Sequence, residues 1–315
     1  MTTASERTTP LPLDACIGLT GRVLSGQYRI VAQLGAGGMG AIYEAEQLSS
    51  GQRFAIKMLL DQIPDREQVA RRFAREANAT RWLDHPNIVE VLDIGTTDTG
   101  DLFLVMELVR GKSLRQVLDD GPVGARRSLV IARQALQGLS HAHTSGMVHR
   151  DLKPENIMLA RRGPPGGEYD QVKLLDFGLV KLLNGAASEL GGDKLTRTGV
   201  VFGTPAYMAP EQVLGRVLDH RADLYAFGVV LFEMLTGWLP FRSPDPMTLM
   251  RMQAGAPIPT LASIAPGRPF CTAAVEHLVA KTLAKRPEQR FADAAEMIAA
   301  LDAAFTTLDH LPAEA

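Results

Sequence analysis

The stretch LGAGGMGAIYEA, Leu34 to Ala45, brings Gly35, Gly37, Gly38 and Gly40 together and then turns apolar. Bare backbone N–H groups can approach phosphate oxygens where larger side chains would hold them off. The spacing of Gly35, Gly37 and Gly40 suits two nucleotide-binding arrangements, a dinucleotide fold and a phosphotransferase fold. Lys57 follows in the otherwise apolar run FAIKML, where an unpaired ammonium would be expensive to desolvate. Further on, HRDLKPEN gathers Asp151, Lys153 and Asn156 in a polar loop between apolar segments, and LLDFG carries Asp176. A carboxylate such as Asp151 can take the proton of a substrate hydroxyl and aim that hydroxyl. Asn156 and Asp176 offer hard oxygen donors suited to Mg²⁺, which keeps some waters and shares a substrate's phosphates.

These groups need elements to hold them. YRIVAQL and AIYEAEQL alternate like strands on either side of the glycines, and RFAIKMLL follows the turn signal SSG. Gly40 leads into Ala41, Ile42, Tyr43, Glu44 and Ala45, an alternating run, so the glycines sit at a hairpin tip. A dinucleotide fingerprint would have them open a helix. That reading fails. A helix is expected across DREQVARRFAREANATRWLD, residues 65–84, and strands return in HPNIVEVLDIGTTDTGDLFLVMEL. From Gly111 the chain reads as largely helical, with NIMLA and VKLLDF as short strands around the glycine–proline loop ARRGPPGGEYD. The expected class is α+β, a small sheet-rich N-terminal lobe followed by a larger helical one.

GAGGMG, FAIKML, VHRDLKPENIML, LLDFGLVK and GTPAYMAPE occur in that order, and together they are highly specific. On these motifs the sequence resembles a bacterial eukaryotic-like (Hanks-type) serine/threonine protein kinase over roughly Tyr28 to Phe305. The resemblance implies a two-lobed protein kinase fold: a small antiparallel β-sheet N-lobe with one main helix, and a larger helical C-lobe. The expected divisions are a disordered leader over residues 1–24, a kinase domain over 25–305 and a short tail over 306–315. Within the domain, the N-lobe covers about 25–106, the hinge about 107–110 and the C-lobe about 111–305.

The same resemblance assigns roles. ATP would lie under Leu34, Gly35, Ala36, Gly37, Gly38, Met39 and Gly40, with Ile42, Ala55 and Met158 around it. Met106 would border the adenine pocket, and Glu107 to Val109 would offer the base backbone hydrogen bonds. Lys57 would bind the α- and β-phosphates, with Glu76 in RFAREANA as its carboxylate partner. Glu67 is a weaker candidate, near the start of that helix where it could serve the dipole instead. Asp151 would orient the substrate hydroxyl, Lys153 would stand near the γ-phosphate, and Asn156 and Asp176 would hold Mg²⁺, with Mn²⁺ as an alternative. His149 would pack beneath Phe177, and Thr204 would organise Asp151 and Lys153. Asp223 would hold the backbone of the catalytic loop, and Glu211 would pair with Arg290. Thr196 and Thr198 are both candidates for autophosphorylation, with Arg150 as the phosphate's clamp. Ala226 departs from the serine of many relatives, and Thr80 from a typical apolar residue.

The bulk properties set limits. The chain has 315 residues, 33 Lys plus Arg against 35 Asp plus Glu, and a formal charge of -2, a balance that gives no reason to expect nucleic-acid binding. Cys16 and Cys271 are too few for a disulfide framework or a thiolate metal site, which fits a reducing, cytoplasmic setting. The apolar stretch Leu224–Phe241 contains Glu233 and Pro240 and reads as a buried core helix rather than a membrane span. His141 and His143, two apart on a helix, point to different faces and are poorly disposed as joint ligands. The expected function is ATP-dependent phosphorylation of protein Ser and Thr in signal transduction, including the chain's own loop, with a homodimer serving trans-autophosphorylation. Two alternatives are a catalytically silent scaffold and a small-molecule phosphotransferase. The first is opposed by the filled catalytic positions, the second by the full GTPAYMAPE segment.

Overall fold

Buried and half-exposed residues alternate along Gly40–Gln47, the period-two signature of a strand with one face on a core. The computed structural model describes residues 18–37, 40–59, 80–164, 169–177 and 204–308. The chain divides into two units, Met1–Pro64 with Val91–Leu108, and Asp65–Glu90 with Val109–Ala315.

The first unit is a six-stranded antiparallel sheet. Its strands are β1 (Val23–Leu24), β2 (Tyr28–Gly37), β3 (Gly40–Gln47), β4 (Arg53–Leu59), β5 (Val91–Thr96) and β6 (Leu102–Glu107), in the order β1-β2-β3-β4-β6-β5. One face carries the core: Ile30, Tyr43, Phe54, Ile56, Phe103 and Val105, with Tyr28 edge-on to Phe54 at 6.1 Å and to Phe103 at 6.4 Å. Alternation then puts Ile42, Ala55, Lys57 and Met106 together on the opposite face, and the register pairs Ile42 with Lys57 and Ala55 with Met106. Val23 and Leu24 correct one expectation. Placed by sequence in a disordered leader, they form β1 against Arg29 and Tyr28, because Leu24 buries its side chain on the same core and Gly26, at φ 66°, closes the turn.

The second unit holds a three-stranded sheet and the helices. Its strands are β7 (Lys112–Ser113), β8 (Ile157–Arg162) and β9 (Tyr169–Leu174). Around them lie α1 (Leu114–Asp119), α2 (Ala125–Thr144), α3 (Pro210–Val213), α4 (Arg221–Thr236), α5 (Pro246–Gly255), α6 (Leu261–Ile264), α7 (Ala273–Thr282) and α8 (Ala294–Leu308). The two-residue strand β7 interrupts a stretch expected to be helical. It exists because Gly111 lets two backbones meet: a Cβ there would lie 2.2 Å from the Leu159 carbonyl oxygen. Every residue of α4 from Ala222 to Thr236 is buried, and the helix ends at Gly237 in the left-handed conformation, φ 78°. It is a core helix, and no helix among the described residues is long and apolar enough to cross a membrane. Residues 80–90 belong to this unit. Leu174 N–H donates to the Asn87 carbonyl at 2.8 Å, and Val89 N–H donates to the Leu174 carbonyl at 2.9 Å. The helix expected across 65–84 lies outside the described residues as far as position 79.

Candidate active site

In the first unit the glycine hairpin pairs Gly35 with Ile42, Ala36 with Ala41 and Gly37 with Gly40. Gly40 takes φ 143°, a conformation L side chains rarely adopt. A Cβ on Gly35 would meet nothing within 4 Å, so packing among the described residues does not demand glycine there. Leu34 is exposed beside it. Gly38 and Met39 lie outside the described residues, as do Glu76 and Glu67. Lys57 is 5% exposed, on the sheet face it shares with Ile42, Ala55 and Met106. Met106 and Glu107 end β6, and Val109 opens the continuation in the second unit.

The second unit builds the polar loop from a buried carboxylate outward. Asp223, in the first turn of α4, is 1% exposed. Its Oδ2 accepts from the His149 N–H at 2.7 Å and from His143 Nε2 at 2.8 Å, and its Oδ1 accepts from the Arg150 N–H at 2.8 Å. Burial alone would push this carboxyl up. The His143 hydrogen bond, the electrostatic interactions with His143 and His149 and the Arg150 N–H outweigh burial and hold it below the usual carboxylate range. Arg150 pays for this anchoring with a left-handed backbone, φ 69°, and Asp176 is similarly strained at φ 61°.

His149 is fixed in turn. Its Nε2 donates to the Leu175 carbonyl at 2.7 Å, and its ring lies 4.7 Å from that of Phe177. A carbonyl can only accept, so the proton sits on Nε2 and Nδ1 faces the Asp151 N–H at 3.4 Å. Asp151 is 9% exposed. Its Oδ2 stands 2.8 Å from Lys153 Nζ and 3.5 Å from Asn156 Nδ2, while Oδ1 meets no donor among the described residues. Lys153 Nζ also donates to the Thr204 hydroxyl at 3.3 Å. Asn156 spends its Nδ2 on the Asp151 carbonyl at 2.7 Å, which leaves its amide oxygen to accept or ligate. The Asn156 carbonyl receives the Leu175 N–H at 2.9 Å, tying the turn before β8 to the residue that precedes Asp176. Met158 is half-buried in β8.

Two supports complete the arrangement. Arg290 makes a buried two-pronged pair with Glu211, 2.7 Å at each contact, and Gln212 Nε2 donates to the Arg150 carbonyl at 2.9 Å. Thr196 and Thr198 lie outside the described residues, and Thr80 is buried. Among the described residues no group of three His, Cys, Asp or Glu is placed to hold a metal. His141 stacks on His85 at 5.2 Å while His143 turns to Asp223. Asn156 and Asp176 carry oxygen donors of the kind Mg²⁺ takes when phosphates supply its other ligands.

Three residues here escaped the sequence. His143 was read only as half of an unsuitable metal pair, yet it shares Asp223. Glu233 receives Arg115 Nη1 at 2.7 Å and the Tyr207 hydroxyl at 2.6 Å. An acid inside an apolar helix must be partnered, so the signal for Glu233 was its position alone. Lys285 is the third, tied to Tyr225 and to two carbonyls of α5.

The protein kinase domain model matches residues 28–301. The chain is 42% identical to the serine/threonine-protein kinase pkn3 of Myxococcus xanthus over 90% of its own length and 51% of that protein. It is 36% identical to serine/threonine-protein kinase PrkC of Bacillus subtilis, covering 91% of this chain and 42% of the relative. For PknD of Mycobacterium tuberculosis the identity is 38%, with 90% and 41% covered. The chain thus spans about half, or less, of the curated relatives it matches. Among solved structures, the Mycobacterium tuberculosis PknI kinase domain superposes with a TM-score of 0.67 at 26% identity, covering 90% of this chain and 98% of that one.

Proposed function

This chain belongs to the protein kinase domain family, and we propose that it transfers the γ-phosphate of ATP to serine and threonine hydroxyls of proteins in bacterial signalling. The observation that carries the reading is the asymmetry of Asp151: one oxygen held by Lys153, the other without a protein donor among the described residues. The open oxygen can receive a substrate hydroxyl, orient it and take its proton as the bond to phosphorus forms. Lys153, steadied by Thr204, keeps its ammonium beside that carboxylate, where negative charge on the transferred group can be neutralised.

The family uses ATP and a divalent metal. Mg²⁺, or Mn²⁺ in its place, would supply charge neutralisation and orientation of the phosphates. The Asn156 amide oxygen and the Asp176 carboxylate would hold it. Lys57 would bind the α- and β-phosphates with Glu76 as its partner, and Leu34 to Gly40 would cover them with backbone N–H groups. Ile42, Ala55, Met106 and Met158 would flank the base, and Glu107 and Val109 would meet its edge through their backbones. Autophosphorylation would fall on Thr196 or Thr198, with Arg150 receiving the phosphate and two copies of the chain meeting to exchange it.

Incubation with Mg²⁺, γ-labelled ATP and a generic basic protein tests the reading. Label on serine and threonine supports it. ATP binding without transfer would favour the scaffold, and label confined to small molecules would favour the small-molecule phosphotransferase.

A further inference from the structure

Lys285, in the turn after α7, carries its ammonium between two aromatic rings, 4.1 Å from the Phe241 ring centre and 5.6 Å from that of Tyr225. It donates to the Tyr225 hydroxyl at 3.2 Å and to the carbonyls of Met252 and Gln253, in the last turn of α5, at 3.3 and 2.9 Å. The Tyr225 hydroxyl donates to Gln253 Oε1 at 2.6 Å, and Gln253 Nε2 donates to the Ala206 carbonyl. Tyr225 and Gln253 are fully buried. Ala206 lies in the short turn Pro205–Tyr207, beside Thr204, whose hydroxyl receives Lys153.

Every bond in this chain runs one way, fixed at one end by the ammonium, which can only donate, and at the other by the Ala206 carbonyl, which can only accept. The ammonium has three protons and no lone pair, so the Tyr225 oxygen must accept from it and send its own proton onward. Gln253 then receives with its carbonyl oxygen, which leaves its NH₂ group to face the Ala206 carbonyl. We propose that Lys285 is a positioning residue: by holding the donor end of the Lys285–Tyr225–Gln253 relay, it keeps the segment 204–207 anchored beside Lys153 and Asp151. The proposal rests on the phosphotransfer reading above. A neutral amine would offer Tyr225 a lone pair. The hydroxyl proton could then turn back to the amine, leaving Gln253 Oε1 without its donor and facing the bare Tyr225 oxygen, which loosens Gln253 and with it the hold on the Ala206 carbonyl.

The placement is not one that stability alone selects. Among the described residues no carboxylate forms a salt bridge with Lys285. Burial, and then the charge of Arg290, bring its pKa down to about 8. The charged amine therefore costs stability below that pH, and the cost is relieved as pH rises from there toward the ordinary lysine range. The groups around it carry no competing switch at that pH. Tyr225 on α4 has its pKa raised by burial, Arg290 is tied to Glu211 on α3, and α5 presents Lys285 with backbone carbonyls.

The test compares protein phosphorylation, the KM for ATP and the unfolding midpoint of the full chain as wild type, Lys285→Met, Lys285→Arg and Tyr225→Phe. The pH would run from about 6.5 to about 9.5, spanning the ammonium's titration. Wild type should lose kcat/KM for the protein substrate above about pH 8. Lys285→Arg, charged throughout, should hold its rate there. Lys285→Met and Tyr225→Phe should be down about tenfold at neutral pH with no such alkaline loss and an unchanged KM for ATP, the size expected when one buried hydrogen bond no longer serves the transition state. Wild-type rates and an unaltered alkaline limb in both Lys285→Met and Tyr225→Phe would overturn the relay while leaving the kinase reading intact. So would losses that merely follow the unfolding midpoint. A wild type that transfers no phosphate would overturn the kinase reading and this proposal with it.

Discussion

Asp223 and Asp151 are both buried carboxylates, one beneath a loop and one within it, and their oxygens are occupied differently. Asp223 has two backbone N–H groups and His143 on its oxygens, donors supplied wholly by the protein. Asp151 has Lys153 and a long contact from Asn156 on one oxygen, and no donor among the described residues on the other. Glu211 falls with Asp223, filled at both oxygens by Arg290. A carboxylate that holds a fold is saturated, since any unpaired buried oxygen costs free energy. A carboxylate that works on a substrate must keep a lone pair for it. On the proposed reading of Asp151, the difference separates support from chemistry within one small region.

The largest test of that division is at Asp176. Asp176→Asn should lower transfer by about three decades, or about 4 kcal/mol of transition-state stabilisation, with the unfolding midpoint in urea unchanged. A midpoint that falls with the rate would move Asp176 to the supporting class.

Lys57 sharpens the same contrast for a cation. Lys57→Met and Glu76→Gln should each cost about two decades in kcat/KM, and the double variant should be little worse than either single one. Fully additive losses, read from the four rates, would remove Glu76 as the partner and reopen Glu67.

Glu211→Gln should do the reverse. It leaves the Arg290 guanidinium buried without its counter-charge, a loss of about 3 kcal/mol in stability that urea unfolding would register. Activity per folded molecule should change less than tenfold, because the pair touches neither Asp151 nor Lys153. A rate that collapses while the fold holds would break the distinction.

Much of the site was legible because its residues are close in sequence. Asp151, Lys153 and Asn156 fall within one loop, and a hairpin brings Asp176 back to it. The strands around the glycines read from period two, since one face is core and the other is not. What escaped follows from distance. His143 and Asp223 are 80 residues apart, and Arg115 and Glu233 are 118 apart. Helix packing decides such pairings, and no local pattern encodes them. The strands Val23–Leu24 and Lys112–Ser113 were missed for the opposite reason, being too short to show a period. Lys285 lies in a run, KRPEQR, whose other charges drew the reading to Arg290.

The most direct measurement sets Asp151→Asn beside Asp223→Asn, recording phosphoryl transfer to protein serine and threonine together with thermal unfolding. Asp151→Asn should lose transfer by about three decades while its melting temperature stays close to that of the wild type, because the carboxylate's basicity is gone whereas its amide oxygen can still accept from Lys153, which also keeps Thr204. Asp223→Asn should melt lower by about 3 kcal/mol of stability, since a charge bound by two backbone N–H groups and His143 is lost. Near-normal transfer by Asp151→Asn, or a melting temperature that falls with its activity as Asp223→Asn's does, would contradict the assignment of Asp151 as the residue that takes the hydroxyl proton.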